Sequence, residues 1–556
     1  MNKKSKLWSL VVPILLLVAA LAGVIGGRML EQRRYNYRLQ QLSTLFGSSS
    51  PHDKISTTLE YIKQSYVDPI SIDSITEALM PHIFEELDPH SIYIPAEDLQ
   101  GVTETLEGEF DGVGITFNMA TDTVIIISVI PSGPSDKAGI VGGDRIIEIG
   151  DSLVAGQKVA QTDIMKMLRG KRGTTVKLGL ERQGTDDLIE IEVTRDVIPI
   201  KSIQSSMILR DSIGYIKMLQ FARSTHREIV EAIVDLESQG LKALILDLRG
   251  NSGGYLDQAI MIANELLPSG NLIVYTEDRQ GRQQKEYSNG KGRITDLELV
   301  LLIDESSASS SEILAGAVQD NDRGTIIGRR SFGKGLVQQQ VPFSDGSAMR
   351  LTVARYYTPT GRSIQKNYTR GDDEAYNDEM LGRYAMGEFF VADSVHFADS
   401  LKKVTPKGKV VYGGGGIMPD IFVPADTTDI TRYYIEVSAR NIIYNYTTKY
   451  SDDHREAINS TRSFEELDEL LKDEDALLQG FVKYAEQKGV KPAWSDIKRS
   501  RRIILAQLRA YIGRNTPLED NAFYHSIYPV DVVLLRALEE IEKEESEQVA
   551  SEGQNK

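Results

Sequence analysis

The stretch Ala243-Leu244-Ile245-Leu246-Asp247-Leu248-Arg249-Gly250-Asn251-Ser252-Gly253-Gly254 decides the fold of the central part of the chain. It begins with a run that is apolar except for Asp247, as expected of a strand buried on both faces of a sheet. Two glycines then mark a turn, and the residues from Tyr255 to Leu267 have the spacing of a helix. A buried strand followed at once by a helix predicts a layered α/β architecture.

The same alternation continues on both sides of this stretch. Ile213 to Lys217 reads as a strand. Leu299 to Ile303 reads as another buried strand, and a helix is predicted to follow it from about Ser310 to Gln319. We therefore predict a layered α/β core from about residue 205 to residue 365.

The regions around the core have different patterns. Residues 108–198 alternate short β-branched runs with glycine turns, which predicts a small, mostly β module. Residues 28–107 predict a linker followed by helices. Residues 431–556 predict charged helices and a solvated tail, and this pattern suits an oligomer contact, an adaptor contact or cladding of the core.

Composition excludes several classes of protein. Of the 556 residues, 41% are hydrophobic and 26% are charged, which is an ordinary globular mixture and excludes general disorder, collagen and a polytopic membrane protein. The net charge of −17 is opposite to that of a general nucleic-acid binder. There is no cysteine, so a thiol nucleophile and thiolate metal sites are also excluded.

The amino terminus carries a candidate membrane segment. After a short tail, residues 1–6, the uncharged run 7–27 is long enough to cross a hydrocarbon core of about 30 Å as a helix. The alternative is a cleaved signal peptide, since Ala20-Leu21-Ala22 resembles a cleavage site. Either interpretation places the rest of the chain outside the cytoplasm, which in a Gram-negative bacterium is the periplasmic face of the inner membrane.

A serine cluster follows the strand that ends at Ile303. Five serines lie between Asp304 and Glu312, and Ser309 with Glu312 has the spacing of a capping box. Capping needs one hydroxyl, not five. A serine at a strand-to-helix turn is also the position of a nucleophile whose following N–H can bind an oxyanion.

A serine nucleophile needs a base, and the core contains no histidine between His226 and His396. A lysine kept neutral by burial can take that role. Lys334 is the candidate, with Gln338 four residues later on the same side of an extended segment. The stretch from Gly328 to Lys334 also nearly matches a phosphate-binding loop, but Gly335 stands where that motif needs Ser or Thr.

Two glycine turns are candidate binding elements. Gly253 and Gly254 could bring backbone N–H groups close to a ligand, provided that they face Ser309. In the β module, the turn formed by Gly112, Val113, Gly114 and Ile115 precedes a strand, and such a turn can capture the terminal carboxylate of a peptide.

Together these motifs resemble the carboxyl-terminal processing (tail-specific) protease family, which comprises PDZ-containing Ser-Lys serine peptidases. The resemblance runs from about Asp53 to Pro424 and follows the family's order of motifs. In chain order the motifs are Leu87-Asp88-Pro89-His90-Ser91 with Tyr93, Phe110 to Ile115, Ala138 to Ile149, Ile213 to Ile216, Leu351 to Gln365 and Gly416 to Asp420.

The resemblance implies an α+β multidomain fold. Its parts are a layered α/β serine protease core of the crotonase/ClpP-like type at 199–430, an inserted mostly-β PDZ domain at 108–198, and helical N- and C-terminal regions. It also implies the roles of individual residues. They are Ser309 as nucleophile, Lys334 as base, Gln338 as third member, Asp320 in support, the backbone of Gly253 or Gly254 with that of Ser310 as oxyanion donors, and Gly112 to Ile115 as the peptide C-terminus site.

The implied activity is that of a serine endopeptidase that recognises protein C-termini and cleaves through an acyl-enzyme. The family needs no metal or cofactor. Expected partners are protein substrates with free C-termini and the membrane at residues 7–27, with a homo-oligomer or an adaptor left open. Two other functions compete: a catalytically silent, membrane-tethered PDZ scaffold, and a nucleotide hydrolase that depends only on Gly328 to Lys334.

Overall fold

The computed structural model describes Gly23, residues 26–34 and residues 54–554 apart from Gln183 and Asp186. The chain divides into two units, 1–83 and 84–556. In the first unit, residues 26–34 are helical, and α1 (Lys54–Ser65) and most of α2 (Ile72–Glu85) follow. The predicted membrane segment 7–27 lies almost entirely outside the described residues. Among the helices that are described, none is long and apolar enough to cross a bilayer.

The second unit begins with a strand and a helix that lead into the β module. A five-strand path in the order β3-β4-β5-β7-β8 forms the module, with β6 paired to β5, and β2 pairs with β9 where the chain enters and leaves. The elements are β1 (Ile92–Ile94), α3 (Ala96–Glu107), β2 (Glu109–Gly112), β3 (Ile115–Thr121), β4 (Thr123–Val129), α4 (Pro134–Lys137), β5 (Arg145–Ile149), β6 (Ser152–Leu153), α5 (Gln161–Leu168), β7 (Thr175–Glu181), β8 (Ile189–Thr194) and β9 (Asp196–Pro199).

The α/β core contains two large sheets and the antiparallel pair β19-β20. The first has six strands in the order β10-β11-β12-β15-β16-β21, and from β11 onward neighbouring strands run parallel. The core elements are β10 (Ile203–Arg210), β11 (Ile213–Met218), α6 (Thr225–Ser238), β12 (Ala243–Asp247), α7 (Leu256–Leu266), β13 (Leu272–Asp278), β14 (Gln283–Tyr287), β15 (Glu298–Ile303), α8 (Ser310–Asp320), β16 (Thr325–Gly328), β17 (Leu336–Pro342), β18 (Ala348–Tyr357), α9 (Asp373–Ala385), β19 (Lys402–Val404), β20 (Val410–Tyr412) and β21 (Ile421–Phe422).

The second large sheet is built from β1 and from four strands of the core. Its path is β1-β18-β13-β14, and β17 pairs with β18. In that pairing Gln338 lies opposite Thr352, and Gln340 lies opposite Arg350. The strand predicted from the opening stretch is confirmed as β12, and the helix predicted after the serine cluster is confirmed as α8.

The six-stranded sheet is covered on both faces. Alternate residues of β12 explain this, since Leu244 and Leu246 join the cluster of α6, α7 and α8, whereas Ala243 and Ile245 face the other side. The second face is covered by a helix from the far end of the chain. Its buried residues are Val533, Leu534, Ala537, Leu538 and Ile541.

The carboxyl-terminal region is helical, as predicted. It has its own apolar cluster around Phe481, Ile504 and Leu508, which are fully buried. Its helices are α10 (Arg432–Ala439), α11 (Ile442–Asp453), α12 (Arg455–Ser460), α13 (Phe464–Leu470), α14 (Glu474–Gln487), α15 (Trp494–Arg514), α16 (Glu519–Ile527) and α17 (Val532–Gln554). Of the roles that the sequence left open for this region, the structure shows cladding of the core by α17.

Replacing Leu538 by Ala tests the contact between α17 and the sheet. Leu538 is fully buried, so we expect the free energy of unfolding to fall by about 2–5 kcal/mol, as for other buried leucines. Leu381→Ala is the matched control, because Leu381 is 69% exposed. Urea unfolding of both variants measures the difference. Equal losses in the two variants would contradict the packing of α17 on the sheet.

Candidate active site

A cleft of about 1420 Å³ collects most of the residues selected from the sequence. It is lined by Ser309, Ser310, Lys334, Gln338 and both glycines of the strand-to-helix turn, Gly253 and Gly254. These residues come from three separate stretches of chain. The fold therefore brings together the serine, the lysine, the amide and the glycine turn, whereas Asp320 does not line this cleft.

Ser309 lies at a sharp turn between β15 and α8. Its backbone has φ 54° and ψ −113°, a conformation that L-residues other than glycine rarely adopt. Its N–H donates to the carboxylate of Glu312 at 2.9 Å, which is the Glu half of the predicted capping box. A strained backbone at such a turn is typical of functional sites, where the surrounding structure holds it in place.

The structure distinguishes Ser309 from its neighbours in the serine cluster. Ser307, Ser310 and Ser311 are buried, and each donates its hydroxyl proton to a backbone carbonyl, of Leu248, Gly254 and Asn251 respectively, at 2.8–2.9 Å. Ser309 is partly exposed and faces the cleft. The extra hydroxyls thus join the serine turn to the glycine turn.

The glycine turn faces Ser309, as an oxyanion site requires. A Cβ added to Gly253 would lie 2.8 Å from Ser309 Cβ and 2.9 Å from Ser310 N, so only glycine fits there. The Gly253 N–H donates to Asn251 Oδ1 at 2.9 Å and is therefore not available to a ligand. Within the described residues, no hydrogen bond is made by the N–H of Gly254 or of Ser310. Of the two glycines, Gly254 is thus the donor that fits.

Lys334 lies largely buried in the same cleft. Burial lowers the pKa of its ammonium group, and the nearby guanidinium of Arg350 lowers it further, whereas Glu312 and Asp88 oppose this. Ser309 and Lys334 side chains are not hydrogen-bonded to each other in the part of the chain that the structure describes. Catalytic hydrogen bonds are often long in the absence of substrate, so this spacing is compatible with a base.

The backbones of Ser309 and Lys334 share two partners. The buried carboxylate of Glu312 accepts hydrogen bonds from the N–H groups of Ser309, Gly333 and Lys334, at 2.7–2.9 Å. The Tyr356 hydroxyl lies 2.7 Å from the carbonyl oxygen of Lys334 and 3.1 Å from that of Ser309. One carboxylate and one phenol therefore hold the two catalytic candidates at a fixed separation.

The hydrogen bonds to Glu312 also argue against a phosphate-binding loop at Gly328 to Lys334. The N–H groups that a phosphate would need, those of Gly333 and Lys334, already donate to Glu312. The segment then enters strand β17, not a helix. The nucleotide-hydrolase interpretation of Gly328 to Lys334 is therefore wrong.

His90, which precedes the core in the chain, interacts electrostatically with Lys334 but is not a second candidate for the base. His90 is largely buried, and burial and the charge of Lys334 lower its pKa to about 4. Its Nε2 lies 2.9 Å from the hydroxyl of Tyr376, and the ring does not line the cleft. His90 is thus neutral at physiological pH and is bonded away from Ser309, which leaves Lys334 as the candidate base.

Gln338 has a partner other than the predicted one. Its amide donates to Thr352 Oγ1 at 3.3 Å, and Thr352 donates to Asp88 Oδ1 at 2.9 Å. In the described part of the chain, no hydrogen bond joins Gln338 to Lys334. The sequence analysis selected Asp88 only as part of the motif from Leu87 to Ser91. The structure shows that this amino-terminal residue supports the strand pair on which Gln338 lies.

Asp320 lies at the end of α8, outside the cleft. It is buried and binds Arg362 Nη2 at 2.7 Å and Thr360 Oγ1 at 2.7 Å. Its support is therefore indirect, because it fixes the turn after β18 against the helix that begins at the nucleophile candidate.

One positioning contact was missed by the sequence analysis. Arg249, at the start of the glycine turn, donates to both oxygens of buried Asp247 and to both oxygens of Asp531, the latter at 2.9 and 2.7 Å. Asp531 also accepts the N–H groups of Val533 and Leu534, and so it caps α17. The sequence suggests a cap at Asp531 but not its second partner, which is far away in the chain.

The peptide site predicted in the β module lies beside an edge strand. Gly112, Val113 and Gly114 precede β3, and Gly114 has φ 76°, as a tight turn requires. Strand β3 is at the edge of its sheet, since β4 is its one partner among the described strands. An edge strand next to a turn of backbone N–H groups suits the addition of a peptide strand.

Comparisons with known proteins match three segments of the chain. Residues 212–374 match the model of peptidase family S41, residues 112–193 match the PDZ domain, and residues 433–516 match a family of unknown function, DUF8443. The first match contains the serine and lysine turns. The second lies within the predicted β module.

Two curated relatives have related names. The carboxy-terminal-processing protease of Bartonella bacilliformis is 37% identical over 314 residues, which are 55% of this chain and 70% of the relative. The carboxy-terminal processing protease CtpA of Bacillus subtilis is 33% identical over 367 residues, 66% of this chain and 76% of the relative. The structure of the photosystem II D1 C-terminal processing protease is 24% identical, covers 66% of this chain and 92% of its own, and has a TM-score of 0.34, too low to compare the folds.

These relatives confirm the resemblance that the motifs indicated, and they give no support to a silent membrane-tethered scaffold. The chain belongs to the carboxy-terminal processing proteases of peptidase family S41, and it is a serine endopeptidase with a PDZ domain.

Proposed function

We propose that Ser309 and Lys334 form the catalytic dyad and that the reaction passes through an acyl-enzyme. The observation that carries this is the position of a largely buried lysine with a lowered pKa in the same cleft as Ser309, the partly exposed serine with a strained backbone. Neutral Lys334 takes the proton of Ser309 Oγ while Oγ bonds to the scissile carbonyl carbon. The protonated lysine then gives this proton to the leaving amine as the C–N bond breaks.

Deacylation uses the same groups. Water gives a proton to Lys334, its oxygen bonds to the acyl carbon, and the bond to Ser309 Oγ breaks as Oγ recovers a proton. In both steps the oxyanion lies against the N–H groups of Gly254 and Ser310, which have no other hydrogen-bond partner among the described residues. Gln338 supports the cleft through Thr352.

The PDZ domain is proposed to capture the C-terminus of the protein substrate. Gly112 to Ile115 would bind the terminal carboxylate, and edge strand β3 would pair with the residues before it. The apolar segment 7–27 leads to a further proposal, that the catalytic part acts outside the cytoplasm. Protease protection of the chain in spheroplasts tests that location, and protection by the cytoplasmic membrane would contradict it.

Ser309→Ala should abolish cleavage, with a loss of at least about a thousandfold in kcat. Ser310→Ala is the matched control and should keep most of the activity, because its hydroxyl only donates to a backbone carbonyl. Mass spectrometry of enzyme quenched during turnover of a peptide ester should find the acyl group on the peptide that contains Ser309. An acyl group on Ser310, or activity in both Ser309→Ala and Lys334→Ala, would refute the dyad.

The pH dependence should report Lys334. The active form has a neutral lysine, so kcat/KM should rise with pH through the pKa of Lys334, at a midpoint below the ordinary value of 10.5. Arg350→Gln removes a neighbouring positive charge and should move the midpoint to higher pH. Arg355→Gln, on the exposed side of the same strand, is the control. A midpoint that Arg350→Gln leaves in place or lowers would contradict the electrostatic coupling.

Asp531→Asn tests whether α17 positions the glycine turn. Loss of the ion pair with Arg249 should lower kcat by about tenfold or more with little change in KM, because the oxyanion donors act mainly in the transition state. Asp531→Glu should recover part of the loss. Asp520→Asn breaks an ion pair with Arg514 elsewhere in the helical region and serves as control. Equal kcat values for Asp531→Asn and wild type would show that this contact only stabilises the fold.

A further inference from the structure

Arg350 is a cation in the active-site cleft, and no carboxylate of the described residues pairs with it. It lies on β18, lines the cleft together with Lys334 and Gln340, and is partly buried. Among the described residues, its guanidinium makes one hydrogen bond, from Nη2 to Gln340 Oε1 at 2.9 Å. A guanidinium has five N–H donors, so most of its donors remain available.

Three other core arginines bind carboxylates, whereas Arg323 donates to three backbone carbonyls, of Leu266, Ile294 and Leu297. Arg249 binds Asp247 and Asp531, Arg362 binds Asp320, and Arg383 binds Glu388. For Arg350, no ion pair occurs within the described residues. Burying a charge without a partner costs free energy, and proteins usually keep such a charge for a ligand or for catalysis.

The surroundings place this cation close to the reaction. Arg350 is near enough to Lys334 to lower the pKa of the lysine, and it also interacts electrostatically with Tyr255, the residue that follows the glycine turn. Burial lowers the pKa of the Arg350 guanidinium itself. Arg350 therefore lies beside both the base and the loop that carries the oxyanion donors.

We propose that Arg350 binds a carboxylate of the peptide substrate inside the cleft, and that this contact helps to choose the bond that is cut. The inference rests on the proposed protease function and adds a specificity site to it. A guanidinium matches a carboxylate through two parallel N–H···O bonds. The carboxylate has two sources in a peptide, the C-terminal carboxylate and an acidic side chain near the scissile bond.

Two pairs of peptides separate these sources. The first pair shares one apolar sequence and ends in a free acid or an amide. The second pair, with free C-termini, carries Glu or Gln at positions scanned around the cleaved bond. The readout is the ratio of kcat/KM within each pair, measured for wild type, Arg350→Gln, Arg350→Lys and the control Arg355→Gln. The ratios are measured at a pH above the midpoint of the profile, where Lys334 is neutral with both members of a pair, so that its altered pKa does not enter the ratio.

In at least one of the two pairs, wild type should have the higher kcat/KM for the peptide that carries the carboxylate. This preference should fall by about tenfold in Arg350→Gln, which is the size of a lost charge-assisted hydrogen bond. Arg350→Lys should give an intermediate ratio, and Arg355→Gln should match wild type. A change in the first pair identifies the C-terminal carboxylate, and a change in the second identifies an acidic side chain. The PDZ contribution to the first ratio is present in every variant and does not affect the difference.

Ratios that Arg350→Gln leaves unchanged in both pairs would overturn the proposal. Cleavage that persists in that case leaves the protease function intact, whereas cleavage that persists in Ser309→Ala would refute the dyad instead. If Arg350→Gln is too slow to assay, the same ratios are measured as Kd in Ser309→Ala and in the double variant Ser309→Ala with Arg350→Gln. Equal Kd ratios in these two proteins would also overturn it.

Discussion

The buried carboxylate of Glu312 is the contact on which the geometry of the site depends. It accepts three backbone N–H groups and the hydroxyl of Ser331, and it joins the first turn of α8 to the loop before β17. Burial raises the pKa of Glu312, and the four donors oppose this because they favour the charged form. Loss of this carboxylate would leave those donors buried without a partner and release the Ser309 and Lys334 backbones from one another.

The charges around the cleft set the protonation equilibrium of Lys334. Lys334 must be neutral to accept a proton, and burial together with Arg350 favours the neutral form. Glu312 and Asp88 favour the charged form that exists after proton transfer. The pKa of the lysine thus reflects a balance between groups from different elements, and substrate binding at Arg350 would shift this balance toward the protonated base.

Much of this arrangement follows from local sequence patterns, because those patterns reflect local physics. The apolar run at 243–248 predicts a buried strand, and the glycine and serine turns predict the helix starts and point to Ser309. The absence of histidine from the core points to a lysine as base, and so to Lys334. What local patterns could not show is the hydrogen-bond partner of each group. Gln338 bonds to Thr352 because strand register places it there, and Gly253 loses its N–H to Asn251 through a turn that composition does not reveal.

The contact between Asp531 and Arg249 has a consequence for the timing of maturation. Ribosomes make the chain from its amino end, so Ser309, Lys334 and the glycine turn all emerge long before Asp531. Until α17 has been made and has packed on the sheet, Arg249 lacks its second carboxylate and one face of the sheet stays uncovered. The glycine turn therefore gains its second carboxylate contact, and the sheet its second cover, only after synthesis has passed this helix.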